Sequence, residues 1–264
     1  MAYRLAHLSD LHIGTGADVA AEQLVEALLR SGVERIALTG DITHRGRRTE
    51  LQRFRQIFAP MLDKLVVVPG NHDRLGDDLE VDLMPGARVQ SIDDPGVRLV
   101  RFNSTGPHNR RWFDSHGDLT RADLAAIEQE LRTAPAGAAT VLLLHHHLLP
   151  LPDEDILERL ATRLGWPNAA ELRLGPELVQ RVRGLCDLVL HGHRHIPAER
   201  IRFRSSPRPL RIVNGGSSML LRGFRLFEVD AGRWSERWID ATEPRGAHEW
   251  CPAMEYASGP LPGW

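Results

Sequence analysis

Residues that can bind metal ions stand directly after several predicted strands. Each strand is a short apolar run of the kind that forms a buried strand. The runs cover residues 3–9, 35–39, 65–68, 140–144 and 187–190. The side chains that follow them are Asp10 and His12, Asp41, Asn71 and His72, His145, and His193 with His195. Because sites in open α/β sheets form at the carboxyl ends of strands, five such ends in one sheet would converge on one crevice.

The mixture of oxygen and nitrogen donors decides which ions this crevice would accept. Asp, Asn and His together suit Mn²⁺, Fe or Zn²⁺, and they are too rich in nitrogen for Ca²⁺ or Mg²⁺ alone. We expect Mn²⁺, with Fe and Zn²⁺ as the alternatives. The predicted ligands are Asp10, His12, Asp41, Asn71, His145, His193 and His195. This set exceeds what one tetrahedral ion needs, whereas two divalent transition-metal ions that share a carboxylate would use all of it.

Each of the short motifs is a weak signal when it stands alone. An Asp-x-His pair is common, a Gly-Asp pair is usually a turn, and a histidine run can be a solvated loop. Five of them in this order, each at a strand end, are hard to obtain by chance. Glycines precede three of the predicted ligands, at Gly40, Gly70 and Gly192. We expect them to let the backbone turn where a side chain would clash.

The elements that must position these residues follow from hydrophobic periodicity. Apolar residues at the helical period predict helices over residues 18–30, 49–62, 119–131, 156–164 and 176–185, with Thr120 and Asp123 as a capping pair for the third. Further strands are predicted at residues 97–102, 210–213, 224–229 and 233–239. Strands and helices alternate in the first half, and strands dominate the second. This order favours an α/β fold, a four-layer αββα sandwich of two mixed β-sheets flanked by helices.

The chain organisation is simple. Residues 1–240 are expected to form one domain, and residues 241–264, rich in Pro and Gly, a C-terminal tail that packs on the domain or at an oligomer contact such as a dimer. No apolar run reaches the roughly 18 residues of a membrane span. A predicted ligand as early as Asp10 leaves no room for a cleaved signal peptide, so we expect a cytoplasmic protein. The apolar residues around Cys186 indicate a core residue, and a disulfide between Cys186 and Cys251 is not expected in the cytosol.

At this point the sequence resembles the calcineurin-like metallophosphoesterase superfamily, in its bacterial phosphodiesterase type, similar to class III cyclic nucleotide phosphodiesterases. That family carries, in order, Asp-x-His, Gly-Asp, Gly-Asn-His-Asp/Glu, a strand-terminal His and Gly-His-x-His. The corresponding residues here are Asp10 and His12, Gly40-Asp41, Gly70-Asn71-His72-Asp73, His145, and Gly192-His193-Arg194-His195. The stretch Asn214-Gly215-Gly216-Ser217 also resembles the family's Asn-x-Gly-Ser turn.

The resemblance implies a division of the ligands between two metals. One metal would be held by Asp10, His12, Asp41 and His195, and the other by Asp41, Asn71, His145 and His193. Asp41 would then bridge the pair. The family usually has His-His-Pro where this chain has three histidines, and the first of the family's histidines is the ligand. We therefore favour His145 as the ligand, with His146 as the alternative.

The chemistry implied is hydrolysis of a phosphate ester. A hydroxide that bridges two metals would attack phosphorus in line with the leaving oxygen. His72 is expected to point into the site as general acid, or as a cation that stabilises the leaving oxygen. Asp73 would hold the tautomer of His72. Contacts with substrate are expected from Arg45, Asn103 and His146.

Four functions remain open at this point. A phosphodiesterase that hydrolyses cyclic nucleotides or other small phosphodiesters is favoured over a phosphomonoesterase. A nuclease would need a basic groove, which the arginines between residues 200 and 211 could supply, but the net charge of −2 is against nucleic-acid binding. A metal-binding scaffold without catalysis would be favoured by the loss of a ligand or of His72, and neither is lost.

Overall fold

The computed structural model describes residues 2–151, 171–230 and 232–243, together with the backbone of residues 247–248 and 254–255. Its strands are β1 Tyr3–Leu8, β2 Arg35–Thr39, β3 Leu65–Val68, β4 Val89–Asp94, β5 Val97–Phe102, β6 Ala139–Leu143, β7 Leu188–His191, β8 Ala198–Arg202, β9 Leu210–Asn214, β10 Gly223–Asp230, β11 Arg233–Asp240, β12 Ala247–His248 and β13 Met254–Glu255. Its helices are α1 Asp18–Ser31, α2 Arg48–Ile57, α3 Glu80–Leu83, α4 Arg121–Arg132, α5 Gly175–Arg181 and α6 Ser218–Leu221.

Two mixed sheets organise the described residues. One has the order β12-β11-β10-β1-β2-β3, with β1, β2 and β3 parallel. The other has the order β13-β8-β9-β7-β6-β5-β4, with β5, β6, β7 and β9 parallel. Alternate side chains of a strand point to opposite faces of its sheet. Each sheet can therefore bury one face against the other sheet and one face against helices.

Three hydrophobic clusters correspond to the three interfaces of a four-layer sandwich. The first joins β1 and β2 to α1 and α2, through residues such as Leu8 and Leu24. The second joins β5, β6 and β7 to α4 and α5. The third lies between the sheets, where Leu5 and Val68 pack with Leu143 and Leu190. The predicted fold, two mixed β-sheets flanked by helices, is therefore confirmed.

Most predicted elements are present, with instructive differences. Thr120 and Asp123 form the predicted capping box at the start of α4. The helix predicted over residues 49–62 is wrong beyond residue 57, because Pro60 lacks an N–H and the chain continues as a 3-10 helix, Ala59–Lys64. Strands β4 and β8 were not predicted, since their side chains are mostly half-buried and polar. The helix predicted at residues 156–164 lies outside the described residues.

The end of the chain pairs with both sheets. β12 pairs with β11, and β13 pairs in parallel with β8. A domain boundary at residue 240 and an oligomer contact of the tail stay predictions. Cys186 is buried with a free thiol, and Cys251 lies outside the described residues. None of the helices in the described part of the chain has the length and apolar character that a membrane crossing needs.

Candidate active site

The predicted ligands come from both sheets, which corrects the expectation of a single sheet. Asp10, Asp41 and Asn71 follow β1, β2 and β3 of the six-stranded sheet, whereas His145 and His193 follow β6 and β7 of the seven-stranded sheet. Each sheet contains parallel strands, and the carboxyl ends of both groups of strands lie on the same side of the sandwich. The crevice is therefore the seam between two sheets.

Hydrogen bonds close this seam beside the predicted ligands. The ring Nδ1 of His145, from one sheet, lies 2.7 Å from the carbonyl oxygen of Thr39 in the other. Ser217 donates its hydroxyl to the carbonyl oxygen of Asp10 over 2.9 Å. The backbone N–H of Ser218 donates to the Ser9 carbonyl, also over 2.9 Å. The two sheets are thus held in register where the ligands leave them.

The backbone is strained at the predicted ligands. Seven non-glycine residues in the described part of the chain have positive φ, and four of them are Asp10, His12, Asp41 and His193, with φ of 53°, 46°, 49° and 71°. A left-handed conformation costs an L-residue roughly 1–2 kcal/mol. Such strain persists where the surroundings fix it and clusters at functional sites.

The three glycines have the role that the sequence predicted. A Cβ at Gly70 would lie 2.2 Å from Oδ1 of Asp41, and one at Gly40 would lie 2.3 Å from Nδ1 of His145. A Cβ at Gly192 would lie 1.8 Å from Oγ of Ser9. Only Gly40 has positive φ, at 87°, so Gly70 and Gly192 are needed mainly for close approach.

One group of donor atoms gathers around Asp10. The Nε2 atoms of His12 and His195 face each other at 3.3 Å, and Nε2 of His195 lies 3.7 Å from Oδ1 of Asp10. Ligands that share a transition metal at about 2.0–2.2 Å lie about 3–3.5 Å from one another. The spacing of His12 and His195 lies in this range and that of His195 and Asp10 is slightly longer, so the three donors are close enough to share a cation.

A second group gathers around Asn71. Its Oδ1 lies 3.1 Å from Nε2 of His145 and 3.1 Å from Nδ1 of His193. A carbonyl oxygen can only accept, so Nδ1 of His145 must donate its hydrogen to Thr39. A neutral His145 then has only a lone pair to turn toward Asn71. Two acceptors that face each other in a buried site need a positive charge between them, which is either a metal ion or a second proton on Nε2 of His145.

Asp41 stands between the two groups. Its Oδ1 lies 3.5 Å from Nε2 of His145, and its Oδ2 lies 3.8 Å from Nε2 of His12. The carboxylate is 2% exposed, so water does not screen its charge. One oxygen of Asp41 faces each donor group, as a bridging ligand requires.

The ionisation of these groups reflects the burial of opposite charges. Burial opposes ionisation of Asp41, but His145 and His72 hold the pKa of this carboxyl well below its usual range. Burial would lower the pKa of His145, yet Asp41, Asp10 and the Thr39 carbonyl raise it to about 9. Burial raises the pKa of Asp10 to about 6. In the metal-free protein the proton on His145 thus supplies positive charge among buried carboxylates.

Two further imidazoles of the donor groups, His12 and His193, are neutral, which is the form that binds metals. Burial lowers the pKa of His12 to about 3 and holds that of His193 well below its usual range. Neutral nitrogen donors beside buried carboxylates fit the divalent transition metals that the sequence predicts. The residues present therefore fit the implied metals.

His72 lies at the rim of the donor groups. Its backbone N–H donates to Oδ1 of Asp41 over 2.8 Å, and its ring Nδ1 donates to the carbonyl oxygen of His44 over 2.7 Å. The ring lies edge-on to His12, with 4.6 Å between centroids. Nε2 of His72 is the nitrogen left to meet a substrate. The structure thus places His72 beside the predicted metal ligands.

Asp73 does not hold the ring of His72, and this prediction is corrected. The carboxylate of Asp73 is fully buried and accepts from the backbone N–H groups of Ile42, Thr43 and Gly70 over 3.2, 2.8 and 2.9 Å. It therefore ties the loop after β2 to the loop after β3. A backbone carbonyl at residue 44 orients His72 instead, which no sequence motif could have indicated.

His146 has both ring nitrogens engaged away from the donor groups. Nδ1 lies 2.8 Å from Oγ of Ser104, and Nε2 lies 2.9 Å from the carbonyl oxygen of Ser115. One nitrogen of His146 does come within 4.8 Å of donors on His145 and His193. The hydrogen bonds nevertheless engage the whole ring, because Nε2 donates to Ser115 and the lone pair of Nδ1 accepts from the Ser104 hydroxyl. This geometry favours His145 as the ligand and leaves His146 no free group for substrate.

The other predicted substrate contacts differ in access. Asn103 is 2% exposed, donates to Glu80 and accepts from the N–H of Thr105 over 3.0 Å. Both ends of its side-chain amide bond to other residues of the protein, so the predicted contact of Asn103 with substrate does not fit the structure. Arg45 is exposed and follows His44 at the rim, where a substrate contact stays a prediction.

Two features of the site were missed in the sequence. Ser104 accepts hydrogen bonds from the backbone N–H groups of His145 and His146, both over 3.2 Å, and so fixes the histidine run. Trp112 places its ring 5.9 Å from that of His72, although no motif surrounds it. Ser217 lies in a stretch that the sequence did single out, and its role is the hydrogen bond to Asp10.

Together the two-sheet fold and the crowded histidines and carboxylates define a metallophosphoesterase. The family model for calcineurin-like phosphoesterases matches residues 3–197, and the chain belongs to this family. It is a metal-dependent phosphoric ester hydrolase.

Relatives and solved structures agree with this assignment. The chain is 30% identical over 211 residues to a glycerophosphodiester phosphodiesterase of Enterobacter lignolyticus, covering 72% of this chain and 70% of that one. It is 25% identical over 213 residues to a probable cyclic nucleotide phosphodiesterase of Vesicomyosocius okutanii, covering 75% and 81%. A dimetal phosphatase of Danio rerio has the same fold, with a TM-score of 0.66 at 11% identity and coverage of 90% and 96%.

Proposed function

We propose that this protein is a binuclear metal-dependent phosphodiesterase that hydrolyses small phosphodiesters. The observation that carries the proposal is the position of Asp41, whose two carboxylate oxygens face different donor groups. Asp10, His12, Asp41 and His195 would hold one ion. Asp41, Asn71, His145 and His193 would hold the other. Mn²⁺ is the ion that we expect, with Fe or Zn²⁺ as alternatives.

The metals and the side chains have separate tasks in this proposal. When bound, two such ions lower the pKa of a water and neutralise charge on the phosphoryl oxygens. His72 stands beside them with Nδ1 fixed by the His44 carbonyl. Its protonated form can therefore donate from Nε2 to the leaving oxygen, where negative charge develops. Asp73 keeps the loops that carry Asp41 and Asn71 at a constant separation.

The substrate class is supported by the relatives, which are named as diesterases acting on cyclic nucleotides or glycerophosphodiesters. A nuclease is less well supported. Arg208 forms an ion pair with Asp187 at 2.5 Å, and Arg211 forms one with Glu199 at 2.8 Å. Arg200 donates to the carbonyl oxygen of Pro150 over 2.6 Å. These arginines neutralise or contact other parts of the protein, so they are poorly placed to form a basic groove.

The test is hydrolysis by protein reconstituted with Mn²⁺. Bis-p-nitrophenyl phosphate, p-nitrophenyl phosphate, 3′,5′-cyclic AMP and single-stranded DNA should be compared at equal concentration. We expect the diester to be cut faster than the monoester, and cyclic AMP faster than DNA. Protein treated with a chelator, and protein carrying Asp41→Asn, are the controls and should be inactive. A monoester cut faster than the diester would contradict the proposal.

A further inference from the structure

An exposed tryptophan stands beside His72 at the tip of a constrained loop. Residues 106–118, which follow β5, form this loop, and we call it the aromatic loop. It carries Trp112 and Phe113, which are 71% and 62% exposed. A tryptophan with this exposure leaves a large apolar surface in water, and apolar surface next to a site is typical of ligand binding.

The aromatic loop is held on both sides of Trp112. The side-chain amide of Asn109 donates to the carbonyl oxygens of Asp114 and His116 over 2.6 and 3.0 Å. The ring of His108 stacks on that of His116 at 3.9 Å and donates to its carbonyl oxygen over 2.7 Å. The exposed indole therefore stands on a fixed backbone rather than at the end of a free segment.

The aromatic loop is also hydrogen-bonded to the residue that follows the predicted ligand His145. Nε2 of His146 donates to the carbonyl oxygen of Ser115 over 2.9 Å, and His146 directly follows the predicted ligand His145. On the other side, the backbone N–H of Asp118 donates to the backbone carbonyl oxygen of Ser104 over 2.8 Å. The hydroxyl of the same serine contacts Nδ1 of His146. The position of Trp112 relative to the predicted metal site is thus set by hydrogen bonds that run through His146.

The ring of Trp112 lies 5.9 Å from that of His72, with 72° between the planes. His72 is the residue proposed to meet the leaving oxygen, so the group attached to that oxygen must pass close to Trp112. A flat indole surface stacks well on a nucleobase, because every base has a π-face, whereas a glycerol group has none. We propose that Trp112 stacks on the base of a nucleoside phosphodiester whose phosphate lies at the metal centre, an inference that rests on the proposed function.

The test compares binding of AMP with binding of inorganic phosphate to the Mn²⁺-reconstituted protein by titration calorimetry. Both probes occupy the phosphate site, and only AMP carries a base. Trp112→Ala is expected to weaken AMP binding about tenfold, the usual size of one lost base stack, and to leave phosphate binding unchanged. Trp112→Phe should retain most of the affinity for AMP. Because the side chain is exposed, the variants are expected to fold.

Phe113→Ala is the matched control, since it removes the neighbouring exposed aromatic ring. It should leave the affinity for both probes unchanged. An equal loss for AMP and phosphate in Trp112→Ala would overturn the inference, because Trp112 would then act by packing on His72. An equal loss of AMP affinity in Phe113→Ala would overturn it as well.

Kinetics separate this inference from the proposed function. Trp112→Ala should raise the KM for cyclic AMP by a similar factor and leave the KM for glycerophosphoethanolamine, a diester without a base, unchanged. If wild-type protein hydrolyses diesters but binds AMP no better than phosphate, the stacking inference fails and the proposed function stands. If AMP binding depends on Trp112 while no diester is hydrolysed, the proposed function fails and the base site stands.

Discussion

The backbone N–H of His72 donates to Oδ1 of Asp41 over 2.8 Å. This bond joins the proposed general acid to the proposed bridging ligand, and it does not involve the His72 side chain. Removal of the imidazole therefore leaves the Asp41 carboxylate in place. Catalysis and metal binding can be separated by experiment at this position.

His72→Ala should keep both metals and lose most turnover. Removal of a general acid usually lowers kcat by about 10²- to 10⁴-fold. The measurements are kcat on bis-p-nitrophenyl phosphate and metal content by mass spectrometry. His44→Ala is the matched control, because it removes the neighbouring ring but keeps the carbonyl that orients His72, so its effect should be much smaller. A metal-free His72→Ala protein would show that the assigned role is wrong.

Measured metal content should also show whether His145 or His146 is the metal ligand. Nε2 of His145 lies 3.1 Å from Oδ1 of Asn71, whereas both nitrogens of His146 bond to groups outside the donor set. His145→Gln is therefore expected to reduce the metal content from two ions to one per chain, and His146→Gln to retain two. The reverse result would identify His146 as the ligand.

The metal-free protein should lose stability as the pH rises above 6.5. The folded protein raises the pKa of His145 from 6.5 to about 9. A raised pKa stabilises the fold fully below the unfolded value, and this stabilisation is lost as pH rises through the folded value. The pKa of Asp10, raised to about 6, affects the stability of the protein at lower pH. The window from pH 6.5 to about 9 therefore reports on His145.

The measurement is Tm of chelator-treated protein at pH 6.5 and pH 9. The wild-type Tm should fall over this interval more than that of His145→Gln, which cannot titrate there. Addition of Mn²⁺ should remove most of the difference, because the ion replaces the proton on His145. Equal pH dependence of the wild type and the variant would contradict the assigned protonation.

Gly70→Ala should disturb the site more than an ordinary loop substitution. The new Cβ would lie 2.2 Å from Oδ1 and 2.3 Å from the backbone nitrogen of Asp41. We expect a loss of about 1–3 kcal/mol in the free energy of unfolding, together with reduced metal content. Both are measured on one preparation, by urea unfolding and by mass spectrometry.

Gly96→Ala is the control for this substitution. Gly96 has a φ of 77° and no atom within 4 Å of an added Cβ, so only backbone strain of about 1–2 kcal/mol is expected there. The Gly96→Ala protein should bind its full complement of metal. If Gly70→Ala also retained both metals, the close approach of residues 70 and 41 would not matter for binding.

The sequence by itself determined the types of the donor groups and the elements that carry them. Both depend on local pattern. Apolar runs specify strands, and Asp10, Asp41 and His193 each stand one to three residues after a run. Gly40, Gly70 and Gly192 could be interpreted for the same reason, since a glycine before a ligand indicates close backbone packing. The family motifs then supplied the chemistry.

The tertiary structure alone decided how distant segments meet. Which sheet contributes which ligand depends on strand pairing, and pairing is set by packing between residues far apart in sequence. Asp73 bonds to residues of another loop, and His72 is oriented by the carbonyl of His44, 28 positions away. Backbone carbonyls are present at every residue, so no sequence pattern reports where they will be used. The same holds for Trp112, whose place beside His72 follows from the fold of a loop 40 residues further along the chain.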